Sequence, residues 1–467
     1  MKYISTRGAA PSLDFEDALM AGLARDGGLY VPESWPSFSK AEIHELCRLP
    51  FADLAVEVIY PFVGDEISKA ELRKMTHESY ASFGSAVVTP LVRLTPKLSI
   101  LELFHGPTLA FKDVAMQLLA RLMDHVLERR GKRAAIVGAT SGDTGGAAIE
   151  AFRSSQRVDV VILYPDGRVS EVQRRMMTTP TEGNIHAVAI DGDFDDCQAL
   201  VKAMFNDHAF RDRVHLSGVN SINWARIVAQ VTYYFTAFAQ AGAPDRGIVV
   251  SVPTGNFGDI FAGYVAKRMG LPIARMIIAS NANDILPRTV KTGVYEMSKV
   301  VATTSPSMDI QISSNFERYL FEASDRDSSR IRGFMQALAK SGCFDLGPMA
   351  ATLREDFAAN SASESDVADC IRRFNTEHGY LLDPHTACGV VAAERAAPDG
   401  DTIVLATAHP AKFPDAVEAA AGLRPALPQR LANLMRDPER LTTLPNNVAA
   451  VEQFVERSVG QRETAKA

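Results

Sequence analysis

Cysteine is scarce and scattered in this chain. Cys47, Cys197, Cys343, Cys370 and Cys388 are five residues dispersed over 467 positions. They form no CxxC pair and no Cys/His cluster, which argues against a zinc site and a disulfide framework and favours a reducing compartment. Positive charge is also short: 49 Lys and Arg stand against 56 Asp and Glu, for a net charge of −7. That balance gives no general electrostatic basis for binding nucleic acid or an anionic membrane, while leaving room for a local basic pocket that takes a small anion. No apolar run approaches the ~18–20 residues of a membrane-spanning helix. The opening Met1-Lys2-Tyr3-Ile4-Ser5-Thr6-Arg7-Gly8 lacks the apolar core of a secretory signal. No internal repeat of fixed period is present. The expectation is a cytoplasmic protein that handles a small molecule, without a metal, nucleic acid or membrane partner.

What remains is an ordinary globular composition, with 46% hydrophobic and 22% charged residues. The chain is long enough for several domains at about 100–200 residues each. Residues 1–85 read as a mostly helical unit. In it Phe15, Ala18, Leu19, Gly22 and Leu23 share one apolar face that Gly27-Gly28 terminates. Short apolar runs then alternate with helical patterns. Strands are expected at Ala134–Val137, Val158–Tyr164, His186–Ile190, Gly247–Val252, Arg275–Ala279 and Thr402–Ala406. The continuously apolar Ile248-Val249-Val250 and Ile403-Val404-Leu405 suit strands buried on both faces. This alternation predicts an α/β architecture with mostly parallel sheets. The alanine- and serine-rich stretch 358–365 reads as a loop, and residues 460–467 as a frayed end.

Lys112 stands where the turn His105-Gly106-Pro107-Thr108 gives way to an apolar helical pattern (Val114, Met116, Leu118, Leu119, Leu122, Met123). A lysine in the first helical turn faces the positive end of the macrodipole, which disfavours its ammonium form. A neutral amine is what a carbonyl cofactor needs for a Schiff base. A surface lysine beside a helix cap explains the same segment.

In open α/β sheets, ligands bind beyond the carboxyl ends of strands. Three loops there carry unusual chemistry. Gly138-Ala139-Thr140-Ser141-Gly142-Asp143-Thr144-Gly145-Gly146 opens a helix with free N–H groups and three hydroxyls, which suit a carboxylate or phosphate. It is neither a Walker loop nor GxGxxG. Thr254-Gly255-Asn256-Phe257-Gly258-Asp259 can form a nest of N–H groups, with Asp259 an odd neighbour for a phosphate and expected to cap the helix or point away. Ala406-Thr407-Ala408-His409-Pro410-Ala411-Lys412 presents a hydroxyl, Thr407, at a strand end. Ordinary strand-to-helix turns account for each loop taken singly. Asn220-Ser221-Ile222-Asn223-Trp224-Ala225-Arg226 opens a long helical pattern, in which Arg226 offers a planar fork to a phosphate or is a surface residue behind a cap. Ser313-Ser314-Asn315-Phe316-Glu317-Arg318 reads as a cap before an amphipathic helix. A lysine, anion cradles and no metal set together suit pyridoxal 5'-phosphate, which needs a Schiff-base lysine, a phosphate nest and a partner for its pyridine nitrogen.

The strings STRG, ARDGGLYVP, HGPTLAFKD, GATSGDTGGAA, NSINWAR, PTGNFGD, SSNFER and ATAHPAKFP occur in that order. Together they resemble the threonine synthase family, of the longer bacterial and fungal type, across nearly the whole chain. The resemblance implies the tryptophan-synthase-β-like fold (fold type II). It implies a large cofactor-binding domain from 86–125 and 222–467, and a small α/β domain at 126–221. It also implies conversion of O-phospho-L-homoserine and water to L-threonine and phosphate. By the same resemblance Lys112 holds the cofactor and shuttles protons, and Gly255, Asn256, Phe257, Gly258 and Asp259 form the cofactor-phosphate loop. Thr407 bonds the pyridine nitrogen, and Asp143 lies near the phenolic oxygen. Thr140, Ser141 and Thr144 receive the substrate carboxylate, while Asn220, Ser221 and Arg226 take its phosphate. Many fold-type-II relatives have asparagine where Asp143 stands. A carboxylate beside a phenolate is repulsive unless it is protonated, turned aside or paired. Another fold-type-II reaction, such as serine/threonine dehydration, or a silent binding protein are the alternatives. The oligomeric state is left as monomer or homodimer.

Overall fold

The structure, a computed structural model, describes residues 1–397 and 399–464. The chain divides into two compact units, Met1–Leu19, Leu23–Phe111 and Ser221–Pro425 in the first, and Met20–Gly22, Lys112–Asn220 and Ala426–Ala467 in the second.

The first unit is built on a six-stranded sheet. Its spatial order is Phe357–Ser361, Ile273–Ser280, Ile248–Pro253, Thr402–Ala406, Leu98–Glu102, Leu91–Arg93. All neighbours pair in parallel except the last two. The central strands Ile248–Pro253 and Thr402–Ala406 are buried at every residue, which is why they carry the apolar runs Ile248-Val249-Val250 and Ile403-Val404-Leu405. A buried helix, Pro384–Ala396, lies on this sheet. Gly389 permits the close approach, because a Cβ there would meet Val404 Cγ1 at 2.7 Å. The N-terminal part is mostly helical, with Lys40–Leu46, Phe51–Val63 and Lys69–Tyr80, plus a two-stranded ribbon of Tyr3–Ser5 and Tyr30–Pro32. Its first helix, Phe15–Ala21, is shorter than the sequence pattern suggested. Gly22, at φ 63°, ends it before Gly27-Gly28.

The second unit carries a five-stranded, wholly parallel sheet. Its order is Thr442–Pro445, Ile185–Asp191, Val158–Pro165, Ala134–Ala139, Leu216–Ser217. Val158–Pro165 is buried along its whole length. The core beside it joins Val161, Leu163, Val188 and Ile190 to Leu200, Met204 and Phe210 from the flanking helices.

All six expected strands are present. The stretch read as a loop at 358–365 is a correction. Phe357–Ser361 is an edge strand, parallel to Ile273–Ser280, and Ser363 then caps the next helix through a capping box with Asp366. The final helix is Val448–Thr464, so residues 460–464 continue a helix where fraying was expected. Residues 465–467 lie outside the described residues.

Candidate active site

In the first unit, strand Ile248–Pro253 runs into the 254–258 loop, which feeds helix Gly258–Arg268. The Thr254 N–H donates to the Ala279 carbonyl at 2.8 Å, tying the loop to the adjacent strand. Phe257 sits at the N-cap with φ 62°, in the left-handed region, and makes no side-chain cap. Such a helix start leaves its N–H groups for a ligand. The loop carbonyls are occupied. Ser313 Oγ donates to Gly255 O at 2.7 Å, and Asn315 donates to Asn256 O from its backbone N–H and its Nδ2, each at 3.0 Å. The N–H groups of Gly255 to Gly258 have no acceptor among the described residues. A Cβ on Gly255 would lie 2.7 Å from Ser307 O, so only glycine fits the wall of this nest.

Asp259 turns its side chain away from the loop, toward the Trp224–Gln240 helix. Its Oδ1 accepts from Tyr233 Oη at 2.5 Å and Tyr234 Oη at 2.9 Å. Burial pushes the Asp259 carboxyl up to about 7, against the pull of the two hydroxyl donors. This arrangement keeps negative charge out of the nest.

Thr407 follows strand Thr402–Ala406 and is buried. Its hydroxyl has no hydrogen-bond partner among the described residues. Its carbonyl accepts from the Phe111 N–H at 2.9 Å, and Ala110 and Ala408 form an isolated bridge. The next residue after Phe111 is Lys112. Lys412 is wholly buried and donates to Thr108 O at 2.8 Å, while His409 Nδ1 accepts from Ala411 N–H at 3.1 Å. These two ionisable residues shape the turn that carries Thr407.

Asn220 is exposed and Ser221 half-buried. Arg226 is only 2% exposed in the first turn of the Trp224–Gln240 helix, which Asn223 caps. Its guanidinium is inside the protein, not on the surface, and desolvation lowers its pKa to about 10.

In the second unit Lys112 is the first residue of the Lys112–Arg129 helix and is buried. Its Nζ lies 3.5 Å from Asp143 Oδ2. Asp143 opens the Asp143–Phe152 helix, and its Oδ1 accepts from Gln173 Nε2 at 2.9 Å. The carboxylate that looked repulsive in the sequence is therefore paired on both oxygens. Thr140 is buried, and its Oγ accepts from the N–H groups of Gly142 and Gly145, each at 2.9 Å. Its own O–H is left to donate. Ser141 and Thr144 are half-buried beside a helix N-terminus that has no side-chain cap. Lys112, Asp143 and the Thr140–Thr144 loop thus come together in one unit.

Four further residues shape these loops, three of them without a sequence signal assigned above and one, Ser313, expected only as part of a helix cap. Gln173 holds Asp143, and its own amide is fixed because Oε1 accepts from the Ser170 N–H at 3.3 Å. The Ser-x-x-Gln capping pattern was the available signal. Ser313 fastens the carbonyl of Gly255, as above. His385 Nδ1 bonds Asp383 Oδ1 at 2.9 Å, and its Nε2 accepts the Ser307 N–H at 3.3 Å. Asp383-Pro384-His385 at the start of a buried helix marks that pair in the sequence. Ser307, the fourth, walls the nest.

These donors fit pyridoxal phosphate: a buried lysine amine with a counter-ion, an N–H nest that glycine keeps open, and an unsatisfied hydroxyl at a strand end. Residues 85–354 match a family described as pyridoxal-phosphate dependent enzyme. Residues 2–80 match the threonine synthase N terminus, and 386–455 the threonine synthase C-terminal family. The threonine synthase of Pseudomonas aeruginosa is 51% identical over 459 residues, covering 97% of this chain and 98% of that one. The crystal structure of PLP-bound threonine synthase from Brucella melitensis superposes with a TM-score of 0.96 at 57% identity, covering 98% and 99% of the two chains. The yeast threonine synthase structure gives 0.93 at 42% identity, with the same coverage of 98% and 99%.

Proposed function

The chain belongs to the threonine synthase family, and from that premise we propose how its residues divide the work of turning O-phospho-L-homoserine and water into L-threonine and phosphate. Bound pyridoxal phosphate supplies a carbonyl for an amine to join and a ring that withdraws electrons from the substrate. Lys112 Nζ holds the cofactor and then moves protons along the substrate chain. Asp143, itself held by Gln173, steadies the lysine charge and lies toward the cofactor's phenolic oxygen. Gly255, Asn256, Phe257 and Gly258 bind the cofactor phosphate through main-chain N–H groups. Asp259 contributes to that loop from behind, by anchoring the start of its helix to Tyr233 and Tyr234. Thr407 presents its hydroxyl to the pyridine nitrogen. Thr140, Ser141 and Thr144 receive the substrate carboxylate at a helix N-terminus. Asn220, Ser221 and Arg226 take the substrate phosphate, where a desolvated guanidinium gives a strong charge-assisted pairing. Binding that phosphate, the leaving group, orients the carbon chain that reacts.

The observation that carries this reading is the buried Lys112–Asp143 pair at 3.5 Å, at the start of two helices. The test is incubation of the holoenzyme with O-phospho-L-homoserine. Threonine and inorganic phosphate in equal amounts support it, whereas phosphate with a 2-oxo acid overturns it. Lys112→Ala should abolish both turnover and the visible absorbance of lysine-linked cofactor. We also propose residues 1–85 as a helical domain, 86–125 with 222–467 as the cofactor domain, and 126–221 as a small α/β domain, save that helix Lys112–Arg129 and residues 426–464 belong to the compact unit of the small domain. Among the described residues no helix is long and apolar enough to cross a membrane. All five cysteines are free thiols, which suits a cytoplasmic protein. Monomer or homodimer is the proposed state, and sedimentation equilibrium distinguishes them.

A further inference from the structure

Asn315 occupies the N-cap position of helix Phe316–Ala323, yet its side chain makes no capping bond. It is wholly buried. Its Nδ2 donates to Asn256 O at 3.0 Å and to Ser221 O at 3.1 Å. Its Oδ1 accepts from Arg318 Nη1, which fixes the amide so that nitrogen, not oxygen, faces the two carbonyls. Arg318 is also wholly buried, and its remaining donors go to Tyr30 O at 3.0 and 2.9 Å and to Ile222 O at 2.6 Å. Its guanidinium lies over the Trp224 ring at 5.7 Å. Desolvation lowers its pKa to about 9, against the adjacent Glu317 carboxylate.

A trans peptide points its carbonyl and its N–H in opposite directions. Holding Asn256 O therefore aims the Phe257 N–H to the other side of the loop, into the nest. Holding Ser221 O likewise aims the Ile222 N–H, in the segment assigned to the substrate phosphate. One side-chain nitrogen reaches both peptide planes, and the Asn315 backbone N–H reinforces its hold on Asn256 O at 3.0 Å. Ser313, by contrast, fastens only Gly255 O.

We propose that Asn315 is a positioning residue that sets the cofactor-phosphate loop and the substrate-phosphate segment together, with Arg318 fixing its amide. Asn315 touches neither ligand. It makes the geometry of one anion site depend on that of the other, and Arg318 extends the dependence to the main chain at Tyr30. The inference rests on the roles proposed above for residues 255–258 and for Ser221.

The test compares four variants. Each apoenzyme is titrated with pyridoxal phosphate, and each holoenzyme is assayed for KM and kcat with O-phospho-L-homoserine. Asn315→Ala should raise KM by about tenfold, the worth of one or two hydrogen bonds, and the cofactor dissociation constant by a smaller factor, because the backbone N–H of residue 315 still holds Asn256 O. Ser313→Ala should raise only the cofactor constant. Arg318→Lys, which keeps charge but loses the fork, should raise both by a smaller factor, and it carries the test if Asn315→Ala does not fold by circular dichroism. A variant at Asn315 or Arg318 that shifts only one of the two constants, or neither, overturns the inference. Gly255→Ala separates this failure from that of its premise. If Gly255→Ala binds pyridoxal phosphate normally, the loop assignment itself is wrong.

Discussion

Gln173 donates from Nε2 to the Asp143 carboxylate at 2.9 Å, while Lys112 Nζ faces the other oxygen of the same group at 3.5 Å. The carboxylate is thus positioned by a neutral amide on one side and a cation on the other. Gln173→Leu removes the amide and leaves a buried oxygen short of one donor. The expected cost is about 1–3 kcal/mol in unfolding free energy. A fall in kcat larger than the rise in KM should accompany it, since the lysine partner is disturbed more than the substrate loops. Urea unfolding and steady-state kinetics on one preparation check both.

His385 reaches the phosphate nest indirectly. Its Nε2 accepts the Ser307 N–H, and Ser307 O fills the space a Gly255 side chain would need. His385→Ala should loosen that wall and weaken cofactor binding several-fold. His385→Asn retains an acceptor for Ser307 and should recover part of the loss. Fluorescence titration of the apoenzymes with pyridoxal phosphate measures the order expected, wild type tightest and alanine weakest.

Asp259 predicts a pH dependence of stability. Its folded pKa, about 7, is raised above the ordinary carboxylate value. The folded state therefore binds the proton more tightly than the unfolded chain. This contribution is full below the unfolded pKa of about 4 and is lost as pH rises through 7. Wild type should lose stability relative to Asp259→Asn between those limits, by on the order of 4 kcal/mol at most. Unfolding curves of the two apoenzymes from pH 4 to pH 8 reveal the difference, and parallel curves refute it.

Gly145 has no room for a side chain. A Cβ there would lie 2.5 Å from Thr140 Cγ2, 2.7 Å from Ile162 Cγ2 and 2.9 Å from Met177 Sδ. Gly145→Ala should cost about 1–3 kcal/mol from overpacking. It should also raise KM, because the Gly145 N–H is one of the two donors that Thr140 accepts. Denaturant unfolding and KM for O-phospho-L-homoserine test the two effects.

The buried strands were legible because a strand covered on both faces carries a continuous apolar run, as Ile248-Val249-Val250 and Ile403-Val404-Leu405 do. Phe357–Ser361 was not, because an edge strand of alanine, asparagine and serine carries neither alternation nor an apolar run. The reactive loops were legible as motifs because their glycines and hydroxyls are consecutive in sequence. Gln173, Ser313, Asn315 and His385 act on partners 30 to 94 residues away, mostly through backbone atoms. A main-chain carbonyl has no residue type, so such a pairing leaves no trace in a single sequence. Asn315 reads as a helix cap, and only the direction of its amide reveals otherwise. Asp259 is expected from its charge to turn away from the phosphate loop, but the two tyrosines it turns to, Tyr233 and Tyr234, are not marked in the sequence.

The bond from Phe111 N–H to Thr407 O has a consequence for how this chain tolerates insertion and deletion. Together with the Ala110–Ala408 bridge, it pins the residue before Lys112 to the end of a central strand. No slack separates that pin from the lysine. One residue added between Ala110 and Lys112 would move the amine by a full backbone step, ~3.8 Å, away from that pin. The same addition beyond Arg129, after the helix, would be absorbed in the turn. Length variation among relatives should therefore vanish across the Ala110–Lys112 stretch and reappear past the helix end.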